Sequence, residues 1–186
     1  MEQIRLDLAA WNKAESTLLK ATGCAVFAFL TIISAQIKIS LLPLTPVPMT
    51  LQTFIVPLAG GFLGAFWGGA SMLLYLALGL IGLNVFAAAS PGLSLFLAPS
   101  AGYIVGYVFA AVIVGLVHNR STVSLFSGLI LSNILILGFG VMGLMINAGM
   151  NPSEAFAKGV APFLIGDSIK LAASFLVLLS YRQLKN

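Results

Sequence analysis

Residues 159–180 read Gly-Val-Ala-Pro-Phe-Leu-Ile-Gly-Asp-Ser-Ile-Lys-Leu-Ala-Ala-Ser-Phe-Leu-Val-Leu-Leu-Ser, an apolar run that is interrupted by two charges, Asp167 and Lys170. The run is long enough to cross a bilayer as a helix, which needs about 20 residues. A charge inside such a helix costs about 2.5–3.5 kcal/mol on insertion scales. Residues three apart share a helix face, so we expect both charges to point into one interior site that holds a polar ligand or an ion.

The whole chain has the composition of a membrane protein. Of its 186 residues, 60% are hydrophobic and only 8% are charged, whereas about a quarter of the residues in a soluble domain are charged. We therefore predict an all-α, polytopic membrane protein with a single transmembrane domain over residues 1–186, in which residues 1–18 form a cytoplasmic N-terminal segment. The net charge of +4 is attributed to basic residues at cytoplasmic helix ends and not to nucleic-acid binding.

Apolar runs and the breakers between them predict a bundle of six transmembrane helices. The expected helices lie near residues 19–37, 51–66, 70–83, 99–117, 123–147 and 159–181. The second and third should be joined by a short turn at Trp67-Gly68-Gly69, and the third and fourth by a loop over residues 84–98. Residues 42–50, here called the proline-rich loop, cannot form a regular helix, because their prolines lack N–H donors and fix φ.

The basic residues predict the orientation of the bundle. With the N-terminus in the cytoplasm, Lys38 and Lys158 lie outside, and the basic residues that lie inside are Arg5, Lys13, Lys20, Arg120, Arg182 and Lys185. This distribution follows the positive-inside rule, and six crossings return the C-terminus to the cytoplasm. The chain is then a multi-pass protein of the cell membrane, with Asp167 about two turns below the outer surface.

Asp167 and Lys170 admit two interpretations. They can be a structural ion pair that neutralises itself, or they can anchor a ligand. In the second case the carboxylate accepts from N–H groups and the ammonium donates to a carbonyl or a carboxylate. A cyclic urea or amide has both kinds of edge, and a proton-coupled transporter is also compatible with such a carboxylate.

Two further polar residues are candidates for ligand contacts. The amide of Gln52 can bind a ligand, or it can bond free backbone groups beside a helix start that is capped by Thr50. Tyr103, near the start of the fourth helix, can pack on a ligand ring and donate from its hydroxyl. Alternatively, its ring serves as an interfacial anchor.

The first helix carries a face of small residues, Ala21, Ala25 and Ala28. Such a face allows the close approach of another membrane subunit, although the same spacing also serves internal packing. The sequence holds no Walker A loop, no metal-ligand spacing and no nucleophile–base set. We therefore predict that the chain is not an enzyme, binds no metal, and depends on a partner for any ATP-driven step.

Four blocks of sequence resemble the BioY family, the substrate-binding components of energy-coupling-factor biotin transporters. The blocks are Pro-Val-Pro-Met-Thr-Leu-Gln-Thr at 46–53, Leu-Tyr-Leu-Ala-Leu-Gly-Leu-Ile-Gly-Leu-Asn-Val-Phe at 74–86, Pro-Ser-Ala-Gly-Tyr at 99–103 and Ala-Pro-Phe-Leu-Ile-Gly-Asp-Ser-Ile-Lys at 161–170. Their order and spacing match the family, and the likeness covers most of residues 19–181.

The resemblance implies a six-helix bundle that binds biotin from outside. Asp167 and Lys170 would contact the vitamin, and Gln52 and Tyr103 carry over from the family's proline-rich and helix-four blocks. The family also implies that the small-residue face of helix one meets a transmembrane coupling protein, which sits on two ATPase subunits. Biotin would be the transported ligand, and no cofactor is implied.

The chain departs from the family pattern at its outer loops. Asn84 stands where the family usually has proline, residues 87–92 replace a glycine-rich stretch, and Ala101 replaces a glycine. We expect Asn84 and Ser90 to supply hydrogen bonds at this external gate.

The mechanism implied by the resemblance is capture of biotin beneath the outer loops. Asp167 would accept from the ureido N–H groups, and Lys170 would donate either to the ureido carbonyl or to the valerate carboxylate. The proline-rich loop would act as a lid. The alternatives are a binding component for another vitamin, a solitary carrier, a membrane enzyme that uses Asp167 as a base, and a purely structural helical subunit.

Overall fold

The computed structural model describes the backbone of residues 2–87 and 92–185 and the side chains of residues 17–87 and 92–184. The helices are α1 (Glu2–Gln36), α2 (Gln52–Leu80), α3 (Ala101–Val117), α4 (Thr122–Asn147), α5 (Pro152–Gly159) and α6 (Leu164–Lys185). Strands β1 (Lys38–Ile39) and β2 (Met49–Thr50) form a short antiparallel ribbon, in which Lys38 faces Thr50. Two 3₁₀ helices cover Gly92–Leu97 and Ala161–Phe163. Apart from the ribbon, every regular element among the described residues is a helix, which confirms the predicted fold class.

Helix α2 is a hairpin whose two arms, residues 52–63 and 65–80, are joined at Gly64. Gly64 has φ 82° and ψ 175°, a backbone conformation that glycine adopts without steric cost. The two arms are antiparallel and pack closely against each other. A Cβ on Gly68 would lie only 2.7 Å from the Cα of Gly60. The turn was predicted at Trp67-Gly68-Gly69, and that prediction was wrong: Gly68 and Gly69 are buried within the second arm, where small residues let the helices approach closely.

The hairpin gives the bundle six crossings, which are α1, the two arms of α2, α3, α4 and α6. Within the part of the chain that the structure describes, four helical segments are long and apolar enough to span a membrane, and Ala101–Val117 is a shorter apolar helix. One end of the bundle, here called the loop end, carries residues 37–51, 81–87, 92–100 and 148–163. The other, the turn end, carries Gly64 and residues 118–121, since a Cβ on Gly64 would lie 3.9 Å from the His118 ring.

Other helix boundaries differ from the prediction because local breakers override the apolar pattern. Helix α1 already begins at Glu2, so the polar N-terminal segment is helical. The last spanning helix begins at Leu164 and not at Gly159, because α5 ends at Gly159 and Pro162 lies in a separate 3₁₀ helix. Asp167 consequently lies in the first turn of α6, nearer the loop end than the two turns predicted.

Helix α3 lies at the centre of the bundle and packs against α2 and α4. Its Gly115 approaches the α2 turn so closely that a Cβ would lie 2.3 Å from the backbone nitrogen of Ala65. Tyr103, Tyr107 and Ala110 on the same helix belong to the main core cluster. Large apolar side chains such as Phe29, Leu73 and Ile134 are exposed on the outside of the bundle, as expected where lipid replaces water.

Candidate functional site

The described residues enclose a cavity at the loop end, here called the main cavity. Its lining comes from the proline-rich loop, the first arm of α2, α3, α4 and α6. The lining residues are Val47, Pro48, Thr50, Gln52, Thr53, Ala87, Ser100, Tyr103, Ile104, Tyr107, Ile136, Leu137, Phe163, Asp167 and Lys170. Apolar and aromatic walls with a few converging polar groups are typical of small-molecule sites.

Asp167 is the buried anion of the main cavity, with only 3% of its surface exposed. Its Oδ1 lies 2.6 Å from Lys170 Nζ and accepts a hydrogen bond of 2.9 Å from Thr53 Oγ1. The first turn of α6 also favours an anion, because free N–H groups there carry partial positive charge. Among the side chains that the structure describes, the other oxygen, Asp167 Oδ2, is a buried atom without a hydrogen-bond partner.

Lys170 joins α6 to the proline-rich loop. Besides its ion pair with Asp167, its ammonium donates to the carbonyl oxygen of Thr50 at 3.0 Å. An ammonium has three N–H donors, so these two contacts leave one for a ligand. The sequence prediction that the two charges share one interior site is met by this geometry, because both side chains line the main cavity.

Gln52 is buried in the wall of the cavity and holds neighbouring elements together. Its Nε2 donates to the Tyr75 hydroxyl at 2.9 Å. Its Oε1 accepts from the Tyr107 hydroxyl at 3.3 Å and from Thr50 Oγ1 at 3.2 Å. The amide therefore links the proline-rich loop, both arms of α2 and α3, and its contact with a ligand stays a prediction.

Tyr103 lines the main cavity with its ring, while its hydroxyl donates to the carbonyl oxygen of Gly159 at 2.8 Å. Its ring lies 5.9 Å from that of Phe163, centroid to centroid. With the hydroxyl engaged in this way, the ring face is the part of Tyr103 that remains for a ligand. Tyr107 also lines the cavity and was not predicted from the sequence, although the spacing of four residues places it on the same face of α3 as Tyr103.

Of the two candidate residues of the outer gate, the structure describes Asn84, which does not line the main cavity. Asn84 is exposed in the connection after α2, while its neighbours Val85 and Phe86 are buried. The connection turns inward through the Phe86 ring, which packs edge-on against Tyr75. Ser90 lies outside the described residues. Thr53 and Ser100 do line the cavity and were not selected from the sequence, because single hydroxyl residues carry little signal.

The small-residue face of α1 is narrower than predicted. Ala25 is exposed and Ala21 partly exposed, but Ala28 is only 1% exposed and belongs to the main core cluster. Ala28 therefore packs within this chain, and the predicted partner face must be corrected to Ala21 and Ala25. Within the described residues, no three His, Cys, Asp or Glu side chains come together as a metal site.

Comparison with known proteins relates this architecture to vitamin transporters. A relative from Pyrococcus horikoshii, described as a probable biotin transporter BioY, is 39% identical over 153 residues, which cover 82% of this chain and 90% of the relative. The biotin transporter BioY of Rhodobacter capsulatus is 38% identical over 145 residues, covering 70% and 76%. The crystal structure of the S-component for biotin from an ECF-type ABC transporter superposes with a TM-score of 0.78 at 25% identity, covering 91% of this chain and 93% of that one.

The family model for BioY matches residues 10–186. The match spans all six crossings and every residue that lines the main cavity, so the chain belongs to the BioY family.

Proposed function

We propose that this chain is the biotin-binding component of a membrane transporter. The observation that carries the proposal is the buried Asp167–Lys170 pair in the wall of the main cavity, with the unpartnered Asp167 Oδ2 beside it. Membership of the BioY family and the similarity to a biotin S-component support the choice of ligand. The role needs no covalent step, so no turnover of biotin is expected.

The polar groups of the cavity complement the ureido ring of biotin. Asp167 Oδ2 can accept from a ureido N–H, and the remaining N–H of Lys170 can donate to the ureido carbonyl or to the valerate carboxylate. Hydrogen bonds to charged groups contribute about 1.5–3 kcal/mol each. Two such bonds would select strongly against analogues that lack the urea, because the buried charges would then lose their partners.

The apolar walls would cover the thiophane ring. Tyr103 and Phe163 present ring faces, and Ile104 lies one residue along α3. Small-molecule sites usually enclose roughly 300–1,000 Å³. The space open to the centres of water molecules is only about 30 Å³, so a bicyclic ligand requires the lining to move apart.

The proline-rich loop is the part that we expect to move. Val47 and Pro48 lie over the cavity, and the loop is held to α6 through the bond from Lys170 to the Thr50 carbonyl. The Lys38 ammonium also ties the ribbon to the carbonyl of Ala87 across the mouth. A loop that closes in this way would exclude water and commit the bound ligand.

In the membrane, we place the loop end outside and both termini in the cytoplasm. Of the described basic side chains, Arg120 and Arg182 flank the turn end and Lys20 lies toward it on α1, whereas Lys38 and Lys158 lie at the loop end. Arg5, Lys13 and Lys185, which would strengthen the same bias, have side chains outside the described residues. The positive-inside rule then supports capture of biotin from the external side.

The test of the function is calorimetric titration of the purified chain with biotin, riboflavin and thiamine. We expect saturable binding of biotin alone, because its ureido ring offers two N–H groups and a carbonyl on a small bicycle, whereas riboflavin is a larger tricycle and thiamine carries a positive charge. Tight binding of another vitamin in place of biotin would contradict the proposed ligand and would favour the alternative of a component for a different vitamin.

The energising partner is proposed to be a transmembrane coupling protein with two ATPase subunits, which would meet α1 at Ala21 and Ala25. Replacing Ala25 by leucine would separate the two helix surfaces, because small residues set the approach distance. We expect ATP-dependent biotin uptake by cells that hold all subunits to fall about tenfold, with calorimetric biotin binding unchanged. Radiolabelled uptake measures the first quantity.

The matched control is Ala77→Leu, which changes an exposed alanine on the second arm of α2 and should leave uptake normal. Equal uptake by wild type and Ala25→Leu would exclude this face as the coupling surface. Uptake at the wild-type rate in cells without any coupling protein would instead favour a solitary carrier.

A further inference from the structure

A second cavity, here called the small cavity, lies next to the main cavity on the side of the turn end. It shares Thr53, Ile136 and Asp167 with the main cavity and extends to Asn133 on α4 and to Pro57 on α2. The space open to the centres of water molecules is about 10 Å³, which is close to the minimum that holds one water molecule.

Two unpartnered oxygens belong to residues that line the small cavity. Of the buried side-chain nitrogen and oxygen atoms that the structure describes, Asn133 Oδ1 and Asp167 Oδ2 alone lack a hydrogen-bond partner. Both atoms are acceptors, and a buried acceptor without a donor is costly. Two such atoms on residues that line a space of this size indicate an occupant that brings hydrogens of its own.

The hydroxyl groups of the small cavity cannot supply those hydrogens. The Ser132 hydroxyl donates to the Leu129 carbonyl at 2.8 Å, and the Thr53 hydroxyl donates to Asp167 Oδ1 at 2.9 Å. Pro57 has no N–H, so the Thr53 carbonyl lacks the helical donor it would otherwise have four residues on. The wall of the small cavity thus presents acceptors whose neighbouring hydroxyl donors are already in use.

We propose that one buried water molecule occupies the small cavity and donates to both Asn133 Oδ1 and Asp167 Oδ2. A sodium ion would also suit acceptors, but Lys170 already neutralises Asp167 at 2.6 Å, and a further cation would leave a net charge inside the bundle. A neutral water with two donors satisfies both oxygens. Each carboxylate oxygen has two lone pairs, so Asp167 Oδ2 keeps one for a ligand in the main cavity.

Asn133 is then a positioning residue, which acts through the water on the carboxylate that binds the ligand. Its effect on ligand affinity rests on the proposed function. The discriminating pair of variants is Asn133→Leu, which conserves volume but expels the water, and Asn133→Ala, which leaves room for water to take the place of the amide.

In calorimetric titrations with biotin, we expect Asn133→Leu to lower affinity about tenfold, since a hydrogen bond to a charged group is lost. Asn133→Ala should stay within about threefold of wild type. A merely structural role predicts the reverse order, because the alanine variant leaves the larger void, and that order would overturn the proposal.

Ser127→Leu, a change at an exposed site on α4, is the control for folding and should bind biotin as the wild type does. The titrations are repeated in a buffer in which choline replaces sodium. A biotin affinity that differs between the two buffers would indicate sodium in the small cavity and would overturn the water as its occupant.

A crystal structure of the wild-type chain without biotin tests the proposal independently of any ligand. We expect one density peak within hydrogen-bonding distance of both oxygens. An empty small cavity, or an Asn133 amide turned so that its N–H₂ group bonds Asp167 directly, would overturn the proposal. Because this measurement requires no biotin, a failure of the proposed function would leave its result intact, and it also decides the matter if Asn133→Leu does not fold.

Discussion

Replacing Asp167 by asparagine is expected to lower the affinity for biotin by at least about a hundredfold. The bonds that Asp167 and Lys170 make to biotin, about 1.5–3 kcal/mol each, are both weakened by this change. The N–H₂ group of the new amide can face the N–H groups of the ureido ring, and two donors cannot bond each other. The change also leaves the Lys170 ammonium, 2.6 Å from the present carboxylate, without its anion. Calorimetry of the purified variant measures the loss.

The matched control is Glu154→Gln, the same chemical change in the Lys158–Glu154 pair at the loop end. That pair is also short, 2.8 Å, but its side chains are 39% and 41% exposed, and exposed pairs contribute only about 0–1 kcal/mol. We expect Glu154→Gln to bind biotin as the wild type does. Equal affinity of wild type and Asp167→Asn would contradict the role of Asp167 as an anchor.

The double variant Asp167→Asn/Lys170→Met separates the anchor from the structural ion pair. Removing one member of a buried pair costs about 3–5 kcal/mol, whereas replacing both by uncharged groups is often neutral. We therefore expect the double variant to recover thermal stability relative to Asp167→Asn without recovering biotin binding. A stable double variant that still binds biotin would show that the pair is structural.

The second large effect is expected at Gly115, where α3 meets the turn of the α2 hairpin. A Cβ there would lie 2.3 Å from the nitrogen and 2.4 Å from the Cα of Ala65. Those are backbone atoms, so the clash is relieved only by moving a helix. We expect Gly115→Ala to destabilise the chain by about 1–3 kcal/mol, measured by thermal unfolding in detergent, and to weaken biotin binding because α3 carries Tyr103 and Tyr107.

Gly138→Ala is the control for Gly115→Ala, because nothing lies within 4 Å of a Cβ at this exposed position of α4. Alanine is preferred to glycine inside a helix by roughly 0.5–1 kcal/mol, so stability should be unchanged or slightly higher. If both variants unfold at the same temperature as the wild type, the close approach of α3 to the hairpin turn is not required for the fold.

The number of crossings and the central ion pair could be predicted from the sequence because both rest on strong local signals. Apolar runs of membrane length indicate spanning helices, and charges within one such run need a partner, which Lys170 supplies three residues after Asp167. Gln52 and Tyr103 were candidates from their position in the sequence, the resemblance to BioY implied both as well, and both line the main cavity.

The positions of the breakers could not be predicted in the same way. Several glycines lie between residues 60 and 69, and only the packed structure shows that Gly64 takes the positive φ while Gly68 and Gly69 serve helix contact. Ala28 shares the spacing of Ala21 and Ala25, but the rotation of α1 within the bundle turns it into the core. Asn133 and Asp167 both line the small cavity, but they lie far apart in the chain, and no local pattern brings them together.

The most direct test of the account is a crystal structure of the chain with biotin bound. We predict the ureido ring in the main cavity, with an N–H group within hydrogen-bonding distance of Asp167 Oδ2 and the Lys170 ammonium bonded to a biotin oxygen. Biotin found elsewhere in the bundle, or in the main cavity with Asp167 and Lys170 bonded only to each other and to Thr50 and Thr53, would contradict it.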